Sequence, residues 1–347
     1  IPCDFGKGGM TEIHLIDSEK KLKAKLELVE TLLEMEIALN LGKGKGGKEA
    51  EDTNPCDASY DKLKTQLVPV DKTSLEFKMV QTYLLNTHAK THGTYTLSLV
   101  DLFTVKREGE EERFQKHAED ANRKLLWHGS RLTNWCGILS QVMSILFSKS
   151  YTSSPEYLDH IHRQTLLWLS IHVCSALSTS PYMQHLYHYH IHVWLYVVVR
   201  FHTYTQGLRI APKEAPVTGY MFGKGVYFAD MSSKSANYCF ADHNGGEGIL
   251  LLSEVALGET HELLHADEKL PKGVPKHKIS VKGCGRTFPD PAGDVTLDDG
   301  VVVPSGKTFD NSLMSKSSLL YNEFIVYDTA QVRSRYLLRV KFSIKRN

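Results

Sequence analysis

The 347-residue chain has no CxxC pair among its six cysteines. Cys3, Cys56, Cys136, Cys174, Cys239 and Cys284 stand far apart, which disfavours both a disulfide framework and a zinc knuckle and fits a reducing compartment. No stretch reaches the roughly 18 continuous apolar residues of a membrane-spanning helix. Excess charge of either sign is also missing, because 41 Lys and Arg against 40 Asp and Glu leave +1. That balance argues against the chain holding nucleic acid by itself, which needs a basic face. Ile1 is not an initiator and no signal-peptide pattern follows it, so the chain reads as a piece of something longer. What is present, 41% hydrophobic and 23% charged residues, is the composition of a folded protein of about two domains.

The first part reads as helical. Leu22, Leu26, Val29, Leu33 and Ile37 recur every three or four positions within 18–41, with Asp17 and Ser18 placed to cap the start and Gly42 the end. A glycine-lysine link at 42–47 follows, then helical segments at 57–66 and 73–87 and a short polar helix at 110–122. From Tyr95 the pattern alternates, with Leu97, Leu99, Phe103 and Val105 marking an extended segment. Beyond it, strands are expected at 124–127, 225–229, 248–256, 277–281, 295–303, 323–328 and 335–344, with a hairpin at Asp298-Asp299-Gly300. Helices followed by strands predict an α+β protein.

Residues 142–206 fit neither style. Eight of the 17 histidines fall there but none of the 25 glycines, and Glu156 and Asp159 are the only acids. Three accounts stand. Leu166–Leu169 and Val193–Val199 are apolar enough for a buried insertion. His188, His190 and His192 alternate, so a strand would put three imidazoles on one face as a metal site. Finally, Val142, whose codons begin GT, and Gln206, which CAG can encode, match the boundaries of a translated intron.

Four segments carry candidate chemistry. In Leu125–Arg131 (LLWHGSR) an apolar strand runs into a sharp turn, so His128 either faces a ligand or is a satisfied structural histidine. Gly219–Asp230 is punctuated by glycine but lacks the spacing and strand-loop-helix context of a phosphate loop, which disfavours a nucleoside triphosphate. Tyr220 and Tyr227 there offer flat faces for stacking, or are core aromatics. Ser232–Tyr238 opens with capping serines and places Lys234 and Tyr238 on one helical face. Glu323 starts an apolar strand, either as an exposed strand end or as a carboxylate at the mouth of a cleft.

Taken in order, these segments resemble the catalytic region of the DNA-damage-activated poly(ADP-ribose) polymerases. The matching runs are LLWHGSR at 125–131, GLRIAP at 207–212, APVTGYMFGKGVYFADMSSKSANYCF at 215–240, LLLSEVALG at 250–258 and SLLYNEFIVYDTAQV at 318–332. The likeness covers 1–141 and 207–347. In the family GILSQ runs directly into GLRIAP, whereas here residues 142–206 separate Gly137–Gln141 from Gly207–Pro212, which favours the intron account.

The resemblance implies an α+β ADP-ribosyltransferase fold of two packed antiparallel sheets. Residues 91–347 would form the catalytic domain, interrupted at 142–206, and residues 1–90 the later part of an all-α regulatory domain. It implies transfer of ADP-ribose from NAD+, a consumed substrate, with release of nicotinamide and no metal. Glu323 would stabilise the cationic ribose, with Lys234 assisting. His128, Tyr227 and Glu323 would complete the triad that accompanies polymer formation. Gly129 and Ser235 would hydrogen-bond the carboxamide, between the rings of Tyr238 and Tyr227. His128, Ser130, Asn134, Arg209 and Tyr220 would also line the dinucleotide site. So would Glu30 and Glu34, where the family pattern has aspartates. Acceptors would be proteins, including the enzyme itself. The chain is expected to be a nuclear monomer away from membranes, with DNA bound only through modules upstream. Two alternatives are transfer of a single ADP-ribose unit, and a dead or misfolded product that acts at most as an interaction module.

Overall fold

The alternation that begins at Tyr95 produces a 13-residue strand, Tyr95–Arg107, in the computed structural model, which describes Lys25 and residues 54–140, 207–208, 210, 220–241 and 246–345. The chain divides into two compact units, one of 1–139 with 208–347 and one of 140–207. Every described helix and strand lies in the first. Its helices are α1 (Pro55–Leu63), α2 (Leu75–Asn86), α3 (Glu110–Phe114), α4 (Trp135–Leu139) and α5 (Ser232–Ala236). Its strands are β1 (Thr65–Pro69), β2 (Tyr95–Arg107), β3 (Arg123–Gly129), β4 (Val226–Phe228), β5 (Glu247–Ala256), β6 (Thr260–Leu263) and β7 (Ser280–Gly283). They continue as β8 (Thr287–Pro289), β9 (Val295–Thr296), β10 (Val302–Val303), β11 (Thr308–Asp310), β12 (Glu323–Val326) and β13 (Val332–Ile344).

Seven strands form one sheet in the order β1-β2-β13-β5-β3-β10-β9, and four form another in the order β4-β12-β7-β6. β8 and β11 pair separately. Neither large sheet is wholly antiparallel, because β10 runs parallel to β3 and β6 parallel to β7. The purely antiparallel expectation is corrected there. Both parallel partners are short strands of two and four residues at or near sheet edges.

The core lies where α2 crosses the seven-stranded sheet. Ser74 caps the helix by accepting from the Phe77 amide at 3.1 Å. Phe77, Val80 and Leu84 recur on one face, and they are buried against Leu125, Trp127, Leu250 and Leu338. Tyr83 packs on Trp127 with ring centroids 4.6 Å apart, and its hydroxyl donates to the Leu125 carbonyl at 3.0 Å. Side chains of this size stabilise by up to about 2–3 kcal/mol each on burial.

The two sheets pack through Leu126, Val255 and Val332 of one against Val226, Phe228, Phe324 and Val326 of the other, and one backbone pair bridges them. The Trp127 amide donates to the Ala229 carbonyl at 2.8 Å, and the Ala229 amide returns a bond to Trp127 at 3.0 Å. Trp127 belongs to β3, and Ala229 follows β4. Beyond this junction the strands diverge, and the chain after Ala229 turns into α5.

On β5 of the large sheet, Glu254 is fully buried under three guanidinium groups. Arg123, Arg333 and Arg335 reach it at 2.6, 2.6 and 2.7 Å. Neighbouring charges are also paired, Arg107 with Glu110 at 3.0 Å and Arg335 with Asp299 at 2.7 Å. Arg107, Glu110, Asp299, Arg333 and Arg335 border a groove of about 440 Å³.

Several boundaries move. The helix expected to reach residue 66 stops at Leu63, where Lys64 adopts a left-handed φ of 54° and Thr65 begins β1. Pairing with β2 overrides the local helical pattern there. The polar helix at 110–122 is α-helical only to Phe114 and continues as a tighter turn to His117. The strand expected at 277–281 starts at Ser280, and β1, β6, β8 and β11 were not anticipated. Of the helix expected at 18–41 only Lys25 is described, and it is helical; residues 142–206, with His188, His190 and His192, lie outside the described residues.

Candidate active site

β3 ends at the sheet junction, and this ending creates the site. Backbone groups two residues apart on a strand point to the same edge. Both backbone groups of Trp127 bond Ala229, so those of Gly129 face that edge one step farther on, where the chain after Ala229 has left for α5. The approach of strand to helix also forces glycine at 129, since a Cβ there would lie 1.9 Å from the Ser235 carbonyl oxygen. The Ser235 hydroxyl donates to the Trp127 carbonyl at 3.1 Å.

His128 Nδ1 lies 3.0 Å from the Tyr227 carbonyl oxygen. A carbonyl only accepts, so Nδ1 carries the proton and neutral Nε2 is an acceptor. Burial holds the imidazole below its usual value of 6.5, opposed in part by the bond to Tyr227. Tyr227, on β4, is pinned through its hydroxyl. It donates to the Gly223 carbonyl at 2.6 Å and accepts from the Phe222 amide at 3.0 Å. Gly223 has φ +67°, and a Cβ there would lie 1.8 Å from the Leu270 carbonyl oxygen. Burial raises the Tyr227 phenol well above its ordinary value. Tyr220 faces it at 6.0 Å between ring centroids.

The opposite wall comes from α5 and β12. Lys234 Nζ donates to the Asn322 carbonyl at 2.7 Å and pairs with Glu323 Oε1 at 2.9 Å. Burial lowers the Lys234 ammonium, while Glu323 acts against that shift. Glu323 at the strand start is therefore half-buried and paired. Tyr238, one turn beyond Lys234, is 57% exposed and free to meet a planar group.

These side chains enclose a cavity of about 240 Å³. Its walls include eight expected residues, His128, Gly129, Tyr220, Tyr227, Lys234, Ser235, Tyr238 and Glu323, together with Met221, Phe228 and Ala229. Ser130 and Asn134 are bonded to each other at 2.9 Å beside β3 and are not among the wall residues. Arg209, Glu30 and Glu34 lie outside the described residues. The expected capping role of the serines is corrected. Met231 occupies the cap without a side-chain bond, because the Ser232 hydroxyl donates to the Leu84 carbonyl at 2.7 Å and Ser233 Oγ accepts from the Ala89 amide at 2.8 Å.

Sequence reasoning missed Asp230 and Asn322, both buried behind this wall and hydrogen-bonded to each other at 2.7 Å. Asp230 closes a quoted motif and Asn322 precedes Glu323, but nothing in their spacing joins them. Among the described residues no group of three or more His, Cys, Asp or Glu side chains is arranged to hold a metal ion.

A half-buried ammonium–carboxylate pair can stabilise a cation forming on a bound sugar. Tyrosines set around the cavity can hold a flat leaving group. The two-sheet α+β architecture split at this cleft is the ADP-ribosyltransferase fold. The chain belongs to the poly(ADP-ribose) polymerase family: the model of the poly(ADP-ribose) polymerase catalytic domain matches residues 74–154 and 199–342, and that of the poly(ADP-ribose) polymerase regulatory domain matches 1–60. The catalytic match breaks over 155–198. Relatives include Poly [ADP-ribose] polymerase 2-A of Oryza sativa subsp. japonica, 45% identical over all of this chain and 42% of its own length. Poly [ADP-ribose] polymerase 2 of Arabidopsis thaliana is 43% identical over 99% of this chain and 43% of its own length. Poly [ADP-ribose] polymerase 1 of Gallus gallus is 42% identical over 99% and 27%. The chain thus spans less than half of each of these relatives.

Proposed function

We propose that this chain transfers ADP-ribose from NAD+ to protein side chains, releases nicotinamide and extends the product into poly(ADP-ribose). The observation that carries the reading is the convergence of Gly129, Ser235, Tyr227, Tyr238 and the Lys234–Glu323 pair on one cavity. NAD+ enters as a consumed substrate. The Gly129 backbone offers the carboxamide a donor and an acceptor on one edge, and the Ser235 hydroxyl adds a third bond. Tyr227 and Tyr238 flank the pyridine ring. Glu323 accepts from the ribose 2′-OH, so its charge opposes the positive charge that builds as the glycosidic bond breaks. In elongation the same carboxylate polarises the incoming hydroxyl, and Lys234 orients it.

His128 takes the adenosine ribose through neutral Nε2, so His128, Tyr227 and Glu323 act as the polymer-forming triad. Ser130, Asn134, Arg209 and Tyr220 complete the dinucleotide site, with Glu30 and Glu34 contributed by the regulatory helices. The acceptors are proteins, including this chain, in the nuclear response to DNA damage. We place the division between regulatory and catalytic parts before Leu75, since α2 belongs to the core of the large sheet, and we assign 142–206 to retained intron.

The test is Glu323→Gln. The amide keeps a hydrogen-bonding group but removes the charge, so NAD+ consumption should fall at least about a hundredfold while nicotinamide still binds. Undiminished turnover would defeat the reading.

A further inference from the structure

Behind the cavity wall, one side chain is held at both of its polar atoms. Asn322 is 5% exposed. Its Nδ2 donates to Asp230 Oδ2 at 2.7 Å, and its Oδ1 accepts from the Gly285 amide at 2.8 Å. Its carbonyl accepts from Lys234 at 2.7 Å, and Lys234 in turn pairs with Glu323 at 2.9 Å. Room for this arrangement exists only because residue 285 is glycine, where a Cβ would lie 2.1 Å from the Tyr321 carbonyl carbon and 2.4 Å from the Asn322 amide nitrogen.

The other end of the bracket matters as much. Asp230 follows Ala229, the residue that joins the two sheets, and leads into α5, which carries Lys234 and Ser235. Asn322 leads into β12 and Glu323. The Asp230–Asn322 bond therefore ties the segment facing the leaving group to the segment that carries the carboxylate. Asp230 is 4% exposed, and its Oδ1 has no hydrogen-bond partner among the described residues. A buried acid left half-satisfied is costly, and its retention at this joint fits a positional role.

We infer that Asp230 and Asn322 are positioning residues that set Glu323 and Lys234 in register with the Gly129–Ser235 side of the cleft. The inference rests on the NAD+-cleavage reading above and adds to it the pair that aligns the two halves. Neither residue lines the cavity. Displacement of a reacting group by about 1 Å is enough to cost on the order of a hundredfold in rate, so a loosened bracket should lower kcat far more than it weakens binding.

The test reverses the polarity of the bond in the full chain. In Asn322→Asp alone, two carboxyl groups face each other and keep the contact only while they share a proton. The charged and titratable groups facing Asp230 are Lys234, Lys282 and Tyr83, and all three are present in every variant. Raising the pH removes the shared proton and opens the bracket. The variant should therefore gain an alkaline fall in kcat of about tenfold or more that the wild type lacks. In the double variant Asp230→Asn with Asn322→Asp, the carboxylate now at position 322 accepts from both the side-chain amide introduced at position 230 and the Gly285 N–H. The alkaline fall should disappear, and kcat should return to within about threefold of wild type.

Nicotinamide affinity, measured by calorimetry, should stay within about threefold throughout, which separates misalignment from collapse. The proposal is overturned if the single variant matches wild type at every pH, if the reversal does no better than the single change, or if nicotinamide affinity falls in step with kcat. A wild-type chain that does not consume NAD+ would defeat the underlying reading and this inference with it. Failure of the variants alone would defeat only the inference.

Discussion

At the scale of the residue, Gly129 carries the most structural consequence for its size. A methyl group there would collide with the Ser235 carbonyl at 1.9 Å, so Gly129→Ala must push β3 away from α5. Overpacking of this kind costs about 1–3 kcal/mol. A lower melting temperature and at least about tenfold weaker nicotinamide binding by calorimetry are expected. Histidine supplies a second residue-level prediction. Burial holds His88, His92 and His128 below the usual 6.5, so the unfolded chain takes up protons near that pH while the folded one does not. Their neutral forms support the fold fully above about pH 6.5, and this support is lost as the pH falls below it. His128→Asn keeps a donor for the Tyr227 carbonyl and removes one such group. Its melting temperature should drop less than that of wild type between pH 7.5 and 5.5, and an equal drop would count against the assignment. The main candidates were legible because each sits in a segment of unusual chemistry, such as a histidine before glycine at a strand end. Asp230 and Asn322 were not, because a hydrogen bond between residues 92 positions apart leaves no local trace.

At the scale of the element, what the sequence disclosed depended on which force decided the structure. Long alternating segments such as β2 and β13 were visible, because one face must meet the core at every second residue. Helix α2 was equally visible, falling within the segment expected at 73–87. Short strands were not: β6, β8 and β11 have three or four residues, and their pairing is decided by partners elsewhere. The buried charge on β5 escaped for the same reason. Glu254 reads as one acid in an apolar run, yet three arginines from two other strands converge on it. Its replacement by Gln leaves those cations around a neutral amide. Breaking a buried pair costs about 3–5 kcal/mol. Glu254→Gln should therefore lower the melting temperature by roughly 6–20 °C at the usual 2–4 °C per kcal/mol. Calorimetry that shows an unchanged transition would refute the claim that this cluster supports the sheet.

At the scale of the whole molecule, two measurements bear on the proposed activity. NAD+ at about a hundred times its dissociation constant should stabilise the fold by about 2.7 kcal/mol if the cleft is formed, and a scan showing no upward shift would argue that it is not. Excision of 142–206 should yield a chain that consumes labelled NAD+ without added DNA, and products resolved on a gel should form a ladder. A single discrete band would instead indicate transfer of one unit. The two large sheets suggest how such a fold would come apart. Two reciprocal backbone hydrogen bonds at Trp127 and Ala229 rivet the sheets together beside the cleft, over the apolar layer that packs between them, so shearing the rivet opens the cleft while the strands of each sheet stay paired. Deuterium uptake at those two amides therefore gauges whether the enzyme is whole. They should exchange at the rate of catalytic inactivation rather than with the strands on either side.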